Sequence, residues 1–332
     1  MENIIALSLD SPLSHSESHN LMEYIRGLKK DIVLAKYTTY RIGGPADYFL
    51  AIKNQADIEE ALKFADENSL SVFILAGGSN ILFSDGGFRG LIIKIENQEL
   101  KIQNNTINAG AGATMVELVN AAVEVGSAGL EWAGGLPGTL GGAIRGNAGC
   151  FGGEIKDVLE QVSAITRSGE LKYYSNKDCC FSYRDSVFKR NDEIIFSAVL
   201  SLCSGNPEKL REEVFEHIGY RQKRQPLEFP NCGSIFKNCS LDIVPKLVQE
   251  KFSGKIKKDP FPILPTAVLI DAAGLKGFSA GGAKISEKHP NFIINDNNAT
   301  ASDIIEIIGR VKEKVKAEFN VDLAEEIEFI GF

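Results

Sequence analysis

The chain has no apolar run approaching the ~20 residues that span a bilayer. Its first residues, MENIIALSLDSPL, lack the basic region and apolar segment of a secretory signal. These two absences predict a cytoplasmic protein with no membrane insertion. The six cysteines, at 150, 179, 180, 203, 232 and 239, include no CxxC pair and lie in a chain too long to need stapling, so reduced thiols are expected. The four histidines are too scattered for a metal motif; His15 and His19 are assigned to a solvated polar segment, and no metal is expected. The pattern GxxxxGK[ST] is absent, which removes the phosphate-gripping lysine of a P-loop ATPase. Positive charge is also short. A net charge of -8 disfavours nucleic acid, whose binding depends on phosphates neutralised by Lys and Arg. What remains is a chain of 332 residues and ordinary globular composition, long enough for two or three domains and suited to a small-molecule partner.

Glycine, by contrast, is concentrated. Gly129 to Gly153, GLEWAGGLPGTLGGAIRGNAGCFGG, holds ten glycines in 25 residues, more than a helix or strand carries without a reason. Without a Cβ, glycine lets a flat or charged ligand lie against bare backbone N–H groups, and successive N–H groups form concavities that hold phosphates. Two or three glycines would read as tight turns. Ten, interleaved with Pro137, Thr139 and Asn147, point to a nucleotide-binding loop. A second cluster, LAGGSNILFSDGGFRG from Leu75 to Gly90, follows the apolar run Val72 to Leu75. The spacing is not the GxGxxG of a Rossmann turn. Two separate loops suit a long ligand with a diphosphate in its middle.

The rest of the chain reads as mixed helix and strand. From Gln55 to Glu67, Ile58, Ala61, Leu62 and Ala65 recur on one helical face. Thr114 and Glu117 form a capping box ahead of the apolar face Met115, Leu118, Val119 and Ala122. Lys101 to Asn108, Val162 to Tyr174 and Ile194 to Leu202 read as strands, with hairpin turns at Asn104-Asn105 and Ser168-Gly169. Asn206 followed by Pro207 starts a helix to about Tyr220, and a domain boundary is placed there. Ser302 is expected to cap a helix with Ile304, Ile307, Ile308, Val311, Val315 and Phe319 on one face, and LAEEIEFIG is the last strand.

Five motifs make the chain recognisable. AGGSN at Ala76 to Asn80, GLPGTLGGAIRGNAG at Gly135 to Gly149 and SYRDSVFK at Ser182 to Lys189 resemble the flavin-domain motifs of the UDP-N-acetylenolpyruvoylglucosamine reductase family. GSIFKN at Gly233 to Asn238 and GLKGFSAGGAKISEKHPNFIIN at Gly274 to Asn295 resemble its substrate-domain motifs. The resemblance implies an α+β fold: a two-part FAD-binding (PCMH-type) region at 35–205 after a leader at 1–34, then a separate α+β substrate-binding domain at 206–322. The segment 323–332 is the strand that returns to the first domain. It further implies FAD and NADPH as cofactors and a UDP-sugar as partner. The implied reaction converts UDP-N-acetylglucosamine enolpyruvate to UDP-N-acetylmuramate in peptidoglycan precursor synthesis.

By the same resemblance, FAD lies non-covalently across Ala76, Gly77, Gly78, Ser79 and Asn80, and across Gly134, Gly135, Gly138, Thr139, Gly141, Gly142, Asn147 and Gly149. Reducing an enol ether conjugated to a carboxylate needs hydride at one carbon, a cation for the charge building on the carboxylate, and a proton for the neighbouring carbon. Arg184, on its own a surface ion-pair residue beside Asp185 or Asp192, takes the carboxylate-binding position, for which a planar guanidinium is suited. Ser234, otherwise a turn serine, takes the position of the proton donor. Glu326 is the implied catalytic carboxyl among three acids whose plain reading is a charged strand edge. Tyr183, Arg224 and Asn238 are implied substrate contacts, the last two at the diphosphate, with Lys288 or His289 as a further one.

The chain also departs from the family pattern. Ala76 stands where a third glycine is expected, Arg145-Gly146 replaces a bulkier apolar pair, and Cys239 replaces a proline. Ala324 and Glu325 differ from the expected residues, and the connection 239–265 is longer and more basic. Two other readings stand beside the reductase. One is a sugar or alcohol oxidase on the same flavin fold, although neither glycine loop has a histidine for covalent attachment. The other is a UDP-sugar binding protein without redox activity, which would purify colourless and resist reconstitution with FAD.

Overall fold

The computed structural model describes residues 25–258 and 261–332. Most of the N-terminal leader, with His15, His19 and the start of the amphipathic stretch Asn20 to Leu28, lies outside the described residues. The first strands and helix follow in the order β1 (Lys29–Val33), β2 (Pro45–Ile52), α1 (Gln55–Glu67), β3 (Val72–Leu75), β4 (Ile81–Phe83) and β5 (Phe88–Ile95). Four of the strands form a sheet ordered β1-β2-β5-β3, parallel except at the antiparallel β1 edge. Asn54 caps α1 by accepting from the Asp57 amide, and Ile58, Ala61, Leu62 and Ala65 are buried as their spacing predicts.

The second sheet is antiparallel: β6 (Leu100–Gln103), β7 (Thr106–Gly110), β8 (Leu159–Ile165), β9 (Leu171–Ser175) and β10 (Ile194–Ser201), ordered β9-β8-β10-β7-β6. Its two hairpin turns fall at Asn104-Asn105 and Ser168-Gly169, where Asn104 and Gly169 have positive φ. Helix α2 (Met115–Glu124) opens on the Thr114/Glu117 capping box. The glycine-rich stretch is not loop throughout, because Leu140, Ala143 and Ile144 bury one side of a short helix, α3 (Leu140–Arg145). One apolar core joins the two sheets, with Leu50 of β2, Ile93 of β5, Val162 of β8 and Ala198 of β10 in a single cluster.

Helix α4 (Pro207–Arg224) starts as predicted on Asn206, whose side chain accepts from the Glu208 and Lys209 amides. The expected substrate domain opens at 206, yet α4 sends Leu210 and Val214 into the first core. The second core draws on residues that follow α4: Ile235 and Phe236, α5 (Lys246–Lys251), α6 (Thr266–Ala272), β11 (Ala283–Ile285), β12 (Ile293–Asn295) and α7 (Ala301–Phe319). The long 239–265 connection is part of this packing. Cys239–Ser240 pairs with Ile263–Leu264, and Val244 and Val248 between them are buried in the second core.

The first half also contributes to the second core. Tyr40, Ile42 and Leu82 are buried there; the Tyr40 hydroxyl donates to the Ile293 carbonyl at 2.9 Å, and Asn295 Nδ2 donates to the Tyr40 carbonyl at 3.2 Å. The apolar face of α7 is the predicted one, but its cap is Thr300, in a capping box with Asp303, and not Ser302. Ser302 lies in the first turn, where the Ala301 and Ser302 amides donate to Asp85 of the β4–β5 turn at 2.7 and 3.0 Å. The chain ends in β13 (Glu328–Ile330), which pairs in parallel with β4. This strand is shorter than the expected LAEEIEFIG, because residues before it cross Phe236, which Glu325 bridges. No described helix is long and apolar enough to cross a membrane.

Asp85 therefore completes the start of a helix in the other core. Asp85→Ala is expected to lower the unfolding free energy by about 1 kcal/mol, the scale of a lost helix cap, and so to lower the urea midpoint. Asp85→Asn, which keeps an acceptor, should lose less, and an unchanged midpoint in Asp85→Ala would show the clamp to be idle.

Candidate active site

A cavity of about 830 Å3 lies where the β3–β4 loop, α3, the segment after α4 and the returning C-terminal segment meet. Part of its wall is backbone. A Cβ on Gly77 would stand 2.7 Å from Gly138 Cα, so the two glycine loops touch main chain to main chain. Among the described residues, the amides of Gly77, Gly78, Ser79 and Asn80 donate to no backbone acceptor, which leaves a row of N–H groups suited to an anionic ligand. Thr139 Oγ1 is buried without a partner among the described residues. An unpaired buried hydroxyl costs about 1–3 kcal/mol, so a ligand group that satisfies it completes this wall.

The charged groups come from distant parts of the chain. Arg184 Nε donates to Glu326 Oε1 at 2.6 Å and its Nη2 to the Gly149 carbonyl at 2.8 Å. Their side chains are 22% and 19% exposed, enough burial for the pair to matter and enough opening for a ligand to reach it. Burial works against the arginine charge, but Glu326 and its neighbours outweigh it and hold the Arg184 pKa above its ordinary value. Glu326 is fixed by its backbone: its amide donates to the Ile235 carbonyl at 2.8 Å, and its carbonyl accepts from Asn80 Nδ2 at 3.0 Å. Ser234, the neighbour of Ile235, lines the same cavity, and among the described residues no protein group engages its hydroxyl.

Residues 46–174 match the FAD binding domain family, and residues 225–330 match the C-terminal domain of UDP-N-acetylenolpyruvoylglucosamine reductase. The UDP-N-acetylenolpyruvoylglucosamine reductase of Lactobacillus helveticus is 36% identical over 309 residues, covering 92% of this chain and 95% of that one. The one from Carboxydothermus hydrogenoformans is 40% identical over 304 residues, covering 90% and 92%. The chain belongs to the UDP-N-acetylenolpyruvoylglucosamine reductase family. The crystal structure of the reductase from Thermus caldophilus matches its fold with a TM-score of 0.73 at 29% identity, over 90% of this chain and 97% of that one. The protein is thus an α+β, FAD-dependent oxidoreductase of peptidoglycan precursor synthesis.

FAD fits the wall described. Ala76 to Asn80, Gly138, Thr139, Gly142 and Gly149 all line the cavity. Four of the expected contacts do not. Gly134 and Gly135 pack on α4, where a Cβ would stand 2.9 Å from the Val214 carbonyl and 3.2 Å from the Ile218 side chain. Gly141 packs on Ala111, where a Cβ would stand 2.9 Å from the Ala111 side chain. Asn147 is fully buried, donating from Nδ2 to the Ser182 carbonyl at 2.9 Å and accepting from the Lys156 amide at 3.3 Å. These four shape the loop from behind.

Of the expected substrate contacts, Asn238 lines the cavity. Tyr183 stands beside Arg184, whose guanidinium lies 5.1 Å from its ring, and its phenol oxygen accepts from the Asn238 amide at 3.4 Å. Burial first, then Glu326, raises the Tyr183 pKa, which keeps the phenol protonated. Arg224 is exposed on the outside of α4, over the Tyr220 ring. The inward arginine is Arg221, buried against the cavity with Nε on the Gly134 carbonyl at 2.8 Å and Nη2 on Cys150 Sγ at 2.9 Å. Helical spacing does not separate the two: Arg221 shares a face with Leu210 and Val214, and Arg224, three residues on, borders that face. Lys288 is engaged by Glu228 at 3.0 Å. His289 is half-buried, its Nδ1 has no partner among the described residues, and burial lowers its pKa to about 4. Neither lines the cavity.

Among the lining residues not anticipated as site residues, Arg145, Lys189 and Glu328 form one charged cluster. Glu328 pairs with Arg145 and lies 3.8 Å from Lys189, whereas Glu325 turns away to Lys312 at 2.7 Å.

Gly142 provides the cleanest test of the flavin wall, since a Cβ there would meet only ordinary contacts, Ala76 Cβ at 3.5 Å being the nearest. Gly142→Asp, and more severely Gly138→Asp, is expected to lose bound flavin sharply, as read from visible absorbance after reconstitution with FAD. Full occupancy in folded Gly142→Asp would place the cofactor elsewhere.

Proposed function

We propose that the protein reduces UDP-N-acetylglucosamine enolpyruvate to UDP-N-acetylmuramate with NADPH as the reductant, and that Ser234 supplies the proton. The observation that carries this reading is the meeting of Arg184, Glu326 and Ser234 on one cavity whose wall also suits FAD. Bound FAD supplies the hydride carrier between NADPH and the enolpyruvyl group. With Nε on Glu326 and Nη2 on Gly149, Arg184 has Nη1 for the substrate carboxylate, where it steadies the charge that builds during reduction. Glu326 fixes the plane of that guanidinium. Ser234 holds its proton for the carbon next to the one that is reduced. The UDP portion falls to the segment after α4, which carries Ser234 and Asn238, with Tyr183 setting the position of the Asn238 backbone.

Ser234→Ala is expected to separate the two half-reactions in anaerobic stopped-flow absorbance. Flavin bleaching by NADPH should run near the wild-type rate, while reoxidation by the enolpyruvyl substrate slows on the order of 10²-fold or more, the range for loss of a positioned proton donor. Equal slowing of both steps would make the serine structural.

Glu326→Gln should impair the same reoxidation step. Glu325→Gln should remain close to wild type, because Glu325 faces Lys312 outside the cavity. A defect confined to Glu325→Gln would overturn the assignment of the carboxyl.

A further inference from the structure

Arg184 acts from a backbone position at φ 56, in the left-handed region. A residue with a Cβ stays there only where its surroundings over-determine it. The side chain is held by Glu326 and Gly149. The carbonyl is held separately, by Lys189 Nζ at 3.0 Å. Lys189 is only 20% exposed in its side chain, and burial pushes its pKa below the ordinary lysine value. Such an ammonium needs a nearby anion to stay in place. That anion is Glu328, whose Oε1 lies 3.8 Å from Lys189 Nζ. Glu328 is held in turn by Arg145, which stands where the family pattern has an apolar residue, and its amide donates to the Asn80 carbonyl at 3.0 Å.

We propose that Glu328, acting through Lys189, is a positioning residue for Arg184. It keeps an ammonium on the Arg184 carbonyl and so sets where the guanidinium meets the substrate carboxylate, while Arg145 fixes Glu328 from its other side. The inference rests on the reading that Arg184 binds that carboxylate.

The test compares two ligands by the change each causes in flavin absorbance: the enolpyruvyl substrate, and UDP-N-acetylglucosamine, which lacks the carboxylate. Lys189→Met and the isosteric Glu328→Gln should weaken the enolpyruvyl ligand on the order of tenfold or more, the scale of a misplaced anchor. They should weaken UDP-N-acetylglucosamine far less, and Lys189→Arg should restore most of the loss. Equal weakening of both ligands, or wild-type affinity for the enolpyruvyl ligand in both variants, would overturn the positioning role. Arg184→Gln separates the two levels. If it discriminates between the ligands and the other two variants do not, the positioning role alone fails. If Arg184→Gln does not discriminate, the carboxylate reading fails and the positioning role with it.

Discussion

The pairing of β13 with β4 is the constraint on which the site depends. Its register sets Glu328 opposite Ile81. Asn80 secures the approach twice, with its side chain on the Glu326 carbonyl and its own carbonyl on the Glu328 amide. The loop that carries AGGSN therefore also fixes the backbone of Glu326 and Glu328, two of the three glutamates that line the cavity. Without this return, Arg184 would lose its anion and be left as a half-buried unpaired charge, which is a costly state.

Glycine serves two purposes in the wall. At Gly77 and Gly138 the absence of side chains lets two loops meet backbone to backbone. At Gly134, Gly135 and Gly141 it lets the same stretch settle against α4 and Ala111. A ligand surface and its support are thus built from one composition, and only contacts tell them apart. Charge follows a similar division. The chain is acidic overall, yet Arg145, Lys189 and Arg184 converge on one cavity with Glu326 and Glu328 as their partners.

The two cores are tied by a small number of directional contacts. Asp85 accepts from the first two amides of α7, Tyr40 bonds to β12, and Leu82 of β4 packs in the second core. Because these contacts flank the cavity segments at residues 38–41 and 73–81, the same interactions that join the cores align the cavity walls.

Local chemistry in the sequence determined much of this. Capping residues and apolar spacing set α1, α2 and the face of α7, and turn residues set the hairpins of the second sheet, because these signals act within a few residues. The motifs singled out Arg184, Ser234 and Glu326, and all three line one cavity. Tertiary structure decided what spacing does not encode. Thr300 takes the capping place expected of Ser302 while Asp85 accepts from the Ala301 and Ser302 amides, β13 is short because Phe236 meets the segment before it, and α4 lies on the first core with Arg221 turned inward in place of Arg224. The ion pairs of Glu328 with Arg145 and Lys189 join residues far apart in the chain. Sequence specifies which charges exist, whereas only the folded path brings them within a few ångströms in a wall where burial makes each one need a partner.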